Sequence, residues 1–207
     1  MRRLVLATHN RHKAEELRAL LRTTDIEVLT LDAFPQVGEI EEDSPTLEGN
    51  ALKKAREVFR LTGMPSLADD TGLEVEALGG APGVLSSRYA GPGATYADNV
   101  RKLLQELKDV PPHRRTARFR CVLAFVAPRD VERVVEGECR GTILHEPRGV
   151  HGFGYDPVFL PHGFTETFAE MNAATKNRIS HRGEALRRIE PVLVEYFGNR
   201  NPEKSSP

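Results

Sequence analysis

Only two cysteines, Cys121 and Cys139, occur in the 207-residue chain, too few for a disulfide framework. There is almost no net charge: 29 basic against 30 acidic residues leave -1, so no field of one sign points to nucleic acid. No apolar run approaches the length of a membrane span. The opening MRRLVLATHN starts basic, but its apolar stretch is too short for a secretory signal. Internal repeats are lacking, and nothing of low complexity exceeds the polar tail NPEKSSP. These absences lead to the expectation of a soluble cytoplasmic protein with reduced thiols and no nucleic-acid or membrane partner. What is present is an ordinary globular balance, 39% hydrophobic and 29% charged, at a length that suits one domain or two lobes sharing a core.

Hydrophobic periodicity supplies the elements. RLVLAT (3–8) reads as a buried strand, HKAEELRALLR (12–22) as a helix and IEVLT (26–30) as a second strand. An acidic loop over 35–46 leads into a helix with Leu47, Ala51, Ala55, Val58, Phe59 and Thr62 near one face. Pro65 then leads into a strand expected to end at Asp69, completing a β-α-β-α-β opening. Thr95 with Asp98 resembles a capping box before a further helix. Residues 115–128 and 131–144 read as a long hairpin, with Cys121 and Cys139 expected nearly opposite each other. YDPVFL (155–160) reads as a strand, and a last helix spans about 183–197, kinked at Pro191. The expected fold is α/β: a two-lobed molecule around a long twisted mixed β-sheet, with flanking helices and a central cleft, an outline that the family resemblance given below makes elongated. One domain covers 1–198, and 199–207 form a disordered tail.

Five polar clusters stand out, and each has a structural alternative. THNRHK (8–13) joins a strand to a helix, where free N–H groups and Lys13 suit an anion; a simple helix cap is the alternative. Glu41, Glu42 and Asp43 precede a helix, whose positive end they also suit. Asp69 and Asp70 suit a hard cation shared with phosphates or a proton acceptor; Asp-Asp-Thr-Gly is also good turn chemistry. HGFGYDP (151–157) allows a flat ligand close to the backbone, with Phe153 stacking on a base or packing in the core. KNRISHRGEA (176–185) offers Lys176, Arg178, His181 and Arg182, either to a ligand or to solvent. Together they match what a nucleoside triphosphate needs: cations for phosphates, acids for a metal, a ring for the base.

On LATHNRHK, NALKKA, ADDTGLEVEALGGAPGVLSSRYAG, FGYDPVF and KNRISHRGEAL, in that order, the chain resembles the inosine/xanthosine triphosphate pyrophosphatase family. The resemblance implies a Mg²⁺-dependent homodimer that converts ITP, dITP, XTP and dXTP to the monophosphate and pyrophosphate. The family's phosphate-binding stretch falls on Thr8, His9, Asn10, Arg11, His12 and Lys13. Its metal carboxylates fall on Glu41 and Asp70, with Asp70 also the proton acceptor and Asp69 beside them as a third candidate for the metal. Thr71, usually serine in the family, matches a substrate contact. Phe153, Gly154, Tyr155, Asp156, Lys176, His181 and Arg182 match the remaining nucleotide contacts. The chain departs from the family at Gly49-Asn50-Ala51, where Glu-Asn-Ala is common, and at Ala174-Thr175-Lys176-Asn177, where Glu-Glu-Lys-Asn is common.

The expected chemistry is water attack at the α-phosphorus, with Asp70 accepting the proton and Lys13 and Lys176 stabilising the departing pyrophosphate. Donors from Arg182 or the backbone would favour a 6-oxygen over adenine's amino group. Two rivals stand beside this: a pyrophosphatase for modified pyrimidine nucleotides, and a non-catalytic nucleotide-sensing or RNA-binding module. Substrate profiling separates the first, and pyrophosphate release excludes the second.

Overall fold

The computed structural model describes residues 2–22 and 25–198, so the expected disordered tail lies outside the described residues. Seven strands form one mixed sheet: β1 (Arg3–Leu6), β2 (Glu27–Leu29), β3 (Ser66–Val75), β4 (Pro82–Gly83), β5 (Thr116–Ala127), β6 (Val131–Ile143) and β7 (Phe159–Pro161). Their order is β2-β1-β3-β5-β6-β7, with β4 paired to β3. β1 runs parallel to β2 and β3, and the pairs from β3 to β7 are antiparallel. Five helices flank it: α1 (Arg11–Leu21), α2 (Leu47–Thr62), α3 (Tyr96–Glu106), α4 (Ala173–Ile179) and α5 (His181–Gly198).

The helices begin where side chains satisfy their free N–H groups. The Asn10 carboxamide oxygen accepts from the Lys13 N–H at α1, and Thr46 Oγ1 from the Gly49 N–H at α2. Thr95 and Asp98 form the expected capping box of α3. At its other end, α2 stops on Gly63, whose φ of 67° is in the left-handed region.

Alternation along the strands divides the core between the two faces of the sheet. Leu4, Leu6, Leu67, Cys121, Leu123 and Phe125 pack with α1 and α5 on one face. Val5, Ala7, Ala68, Val122, Ala124 and Val126 pack against α2 on the other. A further cluster, with Leu73, Phe119, Phe159, Phe168 and α3 residues such as Leu103, fills the far end. β1 pairs with β3 only as far as Leu6↔Leu67, and β4 takes up that edge again at Leu73↔Gly83. Between them the edge of β3 from Asp69 to Gly72 is left open.

Several expectations need correction. β3 does not end at Asp69; it continues through Val75, because Thr71–Val75 pair with Ala117–Cys121 of β5. The strand expected over 155–160 opens as a 3₁₀ turn, Asp156–Val158, with Pro157 in its first positions, and only Phe159–Pro161 is extended. α4 was not anticipated, and α5 runs on through Pro191. The three-residue connection 128–130 shifts the hairpin register, so Cys121 faces Gly137 and Cys139 faces Phe119. Both cysteines are free.

At Gly137 β6 meets α5 with no room for a side chain. A Cβ there would stand 2.3 Å from both the Ala185 nitrogen and the His181 carbonyl oxygen. Gly137→Ala is expected to destabilise the protein by about 1–3 kcal/mol through overpacking. Denaturant unfolding of the two proteins checks this; equal midpoints would refute it.

Candidate active site

The open edge of β3 faces a cavity of about 590 Å³, within the roughly 300–1,000 Å³ usual for small-molecule sites. Its lining collects residues from every sequence cluster: Thr8, His9, Asn10 and Lys13; Glu41 and Glu42; Asp70 and Thr71; Phe153, Gly154, Tyr155 and Asp156; Lys176, His181 and Arg182. Arg11 and His12 are exposed outside this lining, and fully buried Asp69 lies behind it.

Strand alternation separates the two aspartates. Asp69 points to the α1–α5 face, where one carboxylate oxygen accepts from Arg182 (3.0 Å) and Thr71 (3.2 Å) and pairs with Lys13 (3.2 Å). Its other oxygen is buried without a partner among the described residues. Burial opposes its charge, but Lys13, Arg182 and Lys54 outweigh that and hold the carboxyl well below its usual range. Asp70 points to the α2 face, where Lys54 and the Asn50 amide each donate to it at 3.2 Å. Burial is the larger influence there, and with Glu42 and Asp69 it pushes the Asp70 carboxyl up despite Lys54 and Lys13. Environments that drive two neighbouring carboxyls apart suit them to different roles.

Lys54 was missed by the sequence reading. Its ammonium donates to Glu42 (2.5 Å), the Asp69 carbonyl (2.6 Å) and Asp70. Burial disfavours that charge, but Asp70, Asp69 and Glu42 outweigh it and raise the Lys54 pKa. A signal was available: Asn50 and Lys54 fall on the buried stripe of α2 with Leu47, Ala51, Ala55 and Val58, where polar residues need a reason.

Glu16 of α1 was missed too, because it reads as an ordinary helix-surface acid. It accepts from Lys176 at 2.7 Å and from Arg182. Lys176 also donates to Asp156 at 2.6 Å, and Asp156 in turn accepts from the Phe153 N–H at 2.8 Å. The chain Asp156–Lys176–Glu16–Arg182–Asp69 thus ties the aromatic loop to β3. Lys176 stands 5.0 Å from the centre of the Phe153 ring, on the aromatic side of the cavity. His181 stacks on Phe119 at 4.5 Å, its Nδ1 has no partner among the described residues, and burial holds its pKa well below the usual value. The ring is a neutral hydrogen-bonding group at neutral pH.

Five cations of the lining, Lys13, Lys54, Arg88, Lys176 and Arg182, face five acids, Glu39, Glu41, Glu42, Asp70 and Asp156. A polyphosphate therefore brings negative charge that the protein alone does not balance. Among the described residues no three His, Cys, Asp or Glu side chains are grouped to cage a metal. The oxygen donors of Glu41 and Asp70 instead suit a hard divalent cation completed by water and phosphate.

Fold and cavity together define an α/β protein with a sheet-edge cleft for a polyanion that carries a flat ring. The chain belongs to the Ham1 family, whose profile matches residues 4–192. It is 46% identical over 200 residues to a dITP/XTP pyrophosphatase of Streptomyces avermitilis, covering 96% of this chain and all of that one. It is 48% identical over 198 residues to the dITP/XTP pyrophosphatase of Geobacter sulfurreducens, covering 96% and 98%. Among solved structures, a HAM1 protein from Coxiella burnetii superposes with a TM-score of 0.85 at 43% identity, covering 94% of this chain and 100% of the other.

Glu16→Gln is expected to lower stability at neutral pH by about 1–3 kcal/mol, since Lys176 and Arg182 lose a charged acceptor but keep Asp156 and Asp69. Burial works against the Glu16 charge, yet Arg182 and Lys176 prevail and hold its carboxyl below the ordinary value. A depressed carboxyl contributes stability that is full above the unfolded pKa of about 4.3 and fades as pH falls through the folded value. The gap in melting temperature between wild type and variant should therefore be wide at pH 7 and shrink below about pH 4. A gap independent of pH would refute the electrostatic account.

Proposed function

We propose that this chain hydrolyses ITP, dITP, XTP and dXTP to the monophosphate and pyrophosphate, by water attack at the α-phosphorus. The observation that carries the reading is the convergence, on one cavity, of the α1 phosphate loop, the Asp70–Lys54 pair and the Phe153–Lys176–His181–Arg182 wall. The names of the family relatives support the same substrate class.

The loop 8–13 receives the phosphates through Lys13 and the free N–H groups at the start of α1. Asp70 accepts the proton of the attacking water. Lys54, already against Asp70, and Lys13 stabilise charge on the departing pyrophosphate. Glu41 and Asp70 would hold Mg²⁺, which when bound would supply charge neutralisation at the triphosphate. Asp69 orients Lys13, Arg182 and Thr71 from behind the wall rather than joining the metal.

Phe153 stacks on the base, with Gly154 and Tyr155 shaping the loop behind it. Lys176 belongs at the base rather than on the pyrophosphate, given its place over Phe153. Two of the three guanidinium nitrogens of Arg182 are committed to Glu16, Asp69 and Thr71, while Nε has no partner among the described residues. That donor, with Lys176 and neutral His181, favours a 6-oxygen over an amino group. The unit is residues 1–198 acting as a cytoplasmic homodimer; no described helix is long and apolar enough to cross a membrane.

The test is a panel of purine and modified pyrimidine triphosphates with separate detection of phosphate and pyrophosphate. Pyrophosphate released from dITP and XTP with Mg²⁺, and not with chelator, is the expected result; no release from any of them overturns the reading. Asp70→Asn should keep the fold and reduce kcat by about 10²–10⁴-fold, because the amide neither accepts the proton nor holds a cation well. A purified Asp70→Asn protein with near-normal kcat would remove Asp70 from its role.

A further inference from the structure

Tyr96 lines the same cavity, and the reaction scheme gives it no part. It is the first residue of α3, directly after the Thr95–Asp98 capping box, so its backbone is rigidly placed. The inner face of α3 is formed by Val100 and Leu103, leaving Tyr96 38% exposed. Neither the cap nor the core needs an aromatic ring there. An exposed ring on a rigid support at a cavity mouth is suited to gripping a flat ligand.

Its neighbours narrow down the ligand. The Tyr96 ring centre lies 5.8 Å from that of Phe153 and 6.3 Å from that of His12. Phe153 and His12 are themselves stacked, 5.2 Å apart with planes 16° from parallel. Three rings from three distant segments thus meet, Tyr96 and Phe153 on the cavity lining and His12 just outside it. Stacked rings need about 3.5–4.0 Å each, so no flat ring fits between Phe153 and His12 as they stand. The Tyr96 hydroxyl accepts from the Asn10 amide at 3.0 Å, and Asn10 also caps α1 through the Lys13 N–H. The ring is thereby tethered to the start of the phosphate loop while its face remains beside Phe153.

We infer that Tyr96 is a nucleobase-binding residue of this chain: its tilted ring stands beside Phe153 at the cavity mouth, where it meets the edge of the base, and its hydroxyl is held in register by Asn10. The inference rests on the proposed function for the identity of the base, a 6-oxopurine. It adds a contact on α3 to a site otherwise built from the phosphate loop, the aromatic loop and α5.

The experiment measures binding by calorimetry, independently of turnover, with inosine monophosphate as the base-bearing probe and inorganic tripolyphosphate as the baseless one. Tyr96→Ala should weaken inosine monophosphate by about 5- to 50-fold, in line with the worth of one base–aromatic contact, and leave tripolyphosphate within twofold. Tyr96→Phe keeps the ring and should recover most of the loss. In steady-state assays the Tyr96→Ala defect should appear in KM for dITP more than in kcat. Unchanged affinity for inosine monophosphate, or equal weakening of both probes, overturns the inference. Failure of the wild-type chain to release pyrophosphate would instead strike the proposed function, and the binding comparison would still decide whether Tyr96 holds the base.

Discussion

Asp69 and Asp70 sit in the middle of a buried strand, and the two-residue period of that strand turns their carboxylates to opposite faces of the sheet. Side by side on one face they would repel and could not both stay ionised. On opposite faces each meets its own cations: Lys13 and Arg182 for Asp69, Lys54 for Asp70. α1 and α5 bring the first set and α2 brings the second. The pair therefore explains why both faces of this stretch of sheet carry helices with buried basic residues. It also explains why β1 stops short: the open edge of β3 beside these residues is where the cavity begins.

Such a network is not a source of stability in itself. Burying charges costs solvation energy that mutual attraction only partly offsets, and well-packed apolar residues would serve stability as well or better. Of the fourteen buried polar or charged residues among the described residues, some, such as Arg115 and Ser66, satisfy backbone carbonyls of the fold, but seven line the one cavity: Lys54, Asp70, Ser86, Asp156, Lys176, His181 and Arg182. The concentration of those seven around one cavity, with an Asp69 oxygen and the His181 Nδ1 lacking partners among the described residues, is better explained by ligand chemistry.

Much of the candidate site was legible in the sequence because several of its polar clusters lie at junctions between elements. THNRHK lies where β1 passes into α1, HGFGYDP where the chain approaches β7, and the KNRISHR run at the α4–α5 boundary. At such places a polar cluster has few reasons to exist, so its chemistry shows. Three residues inside helices were hidden for the opposite reason. Glu16 is an unremarkable acid on α1, and Tyr96 follows an ordinary cap. Lys54 betrays itself only when helical period and burial are set side by side. The length of β3 was misjudged because Asp-Asp-Thr-Gly has turn chemistry, whereas the register with β5 keeps those residues extended. Long-range pairing overrode local preference there.

The same separation of faces bears on how the ends of a nucleotide are read together. Asp69 belongs to the face that holds Lys13, at the phosphate loop, and Arg182, at the base wall, so a single carboxylate spans both ends of the cavity. Glu16 extends that link to Lys176 and, through Asp156, to the backbone of Phe153. Asp70, on the other face, shares none of those hydrogen-bond partners. In the proposed reaction, positioning of the nucleotide and the chemistry on it thus fall to adjacent residues that the strand keeps apart. A shift at Arg182 can reach Lys13 through Asp69 without passing through Asp70. Two neighbouring aspartates on one strand accomplish this because successive side chains of a strand point to opposite faces of the sheet, whereas on a helix adjacent side chains stand only about 100° apart.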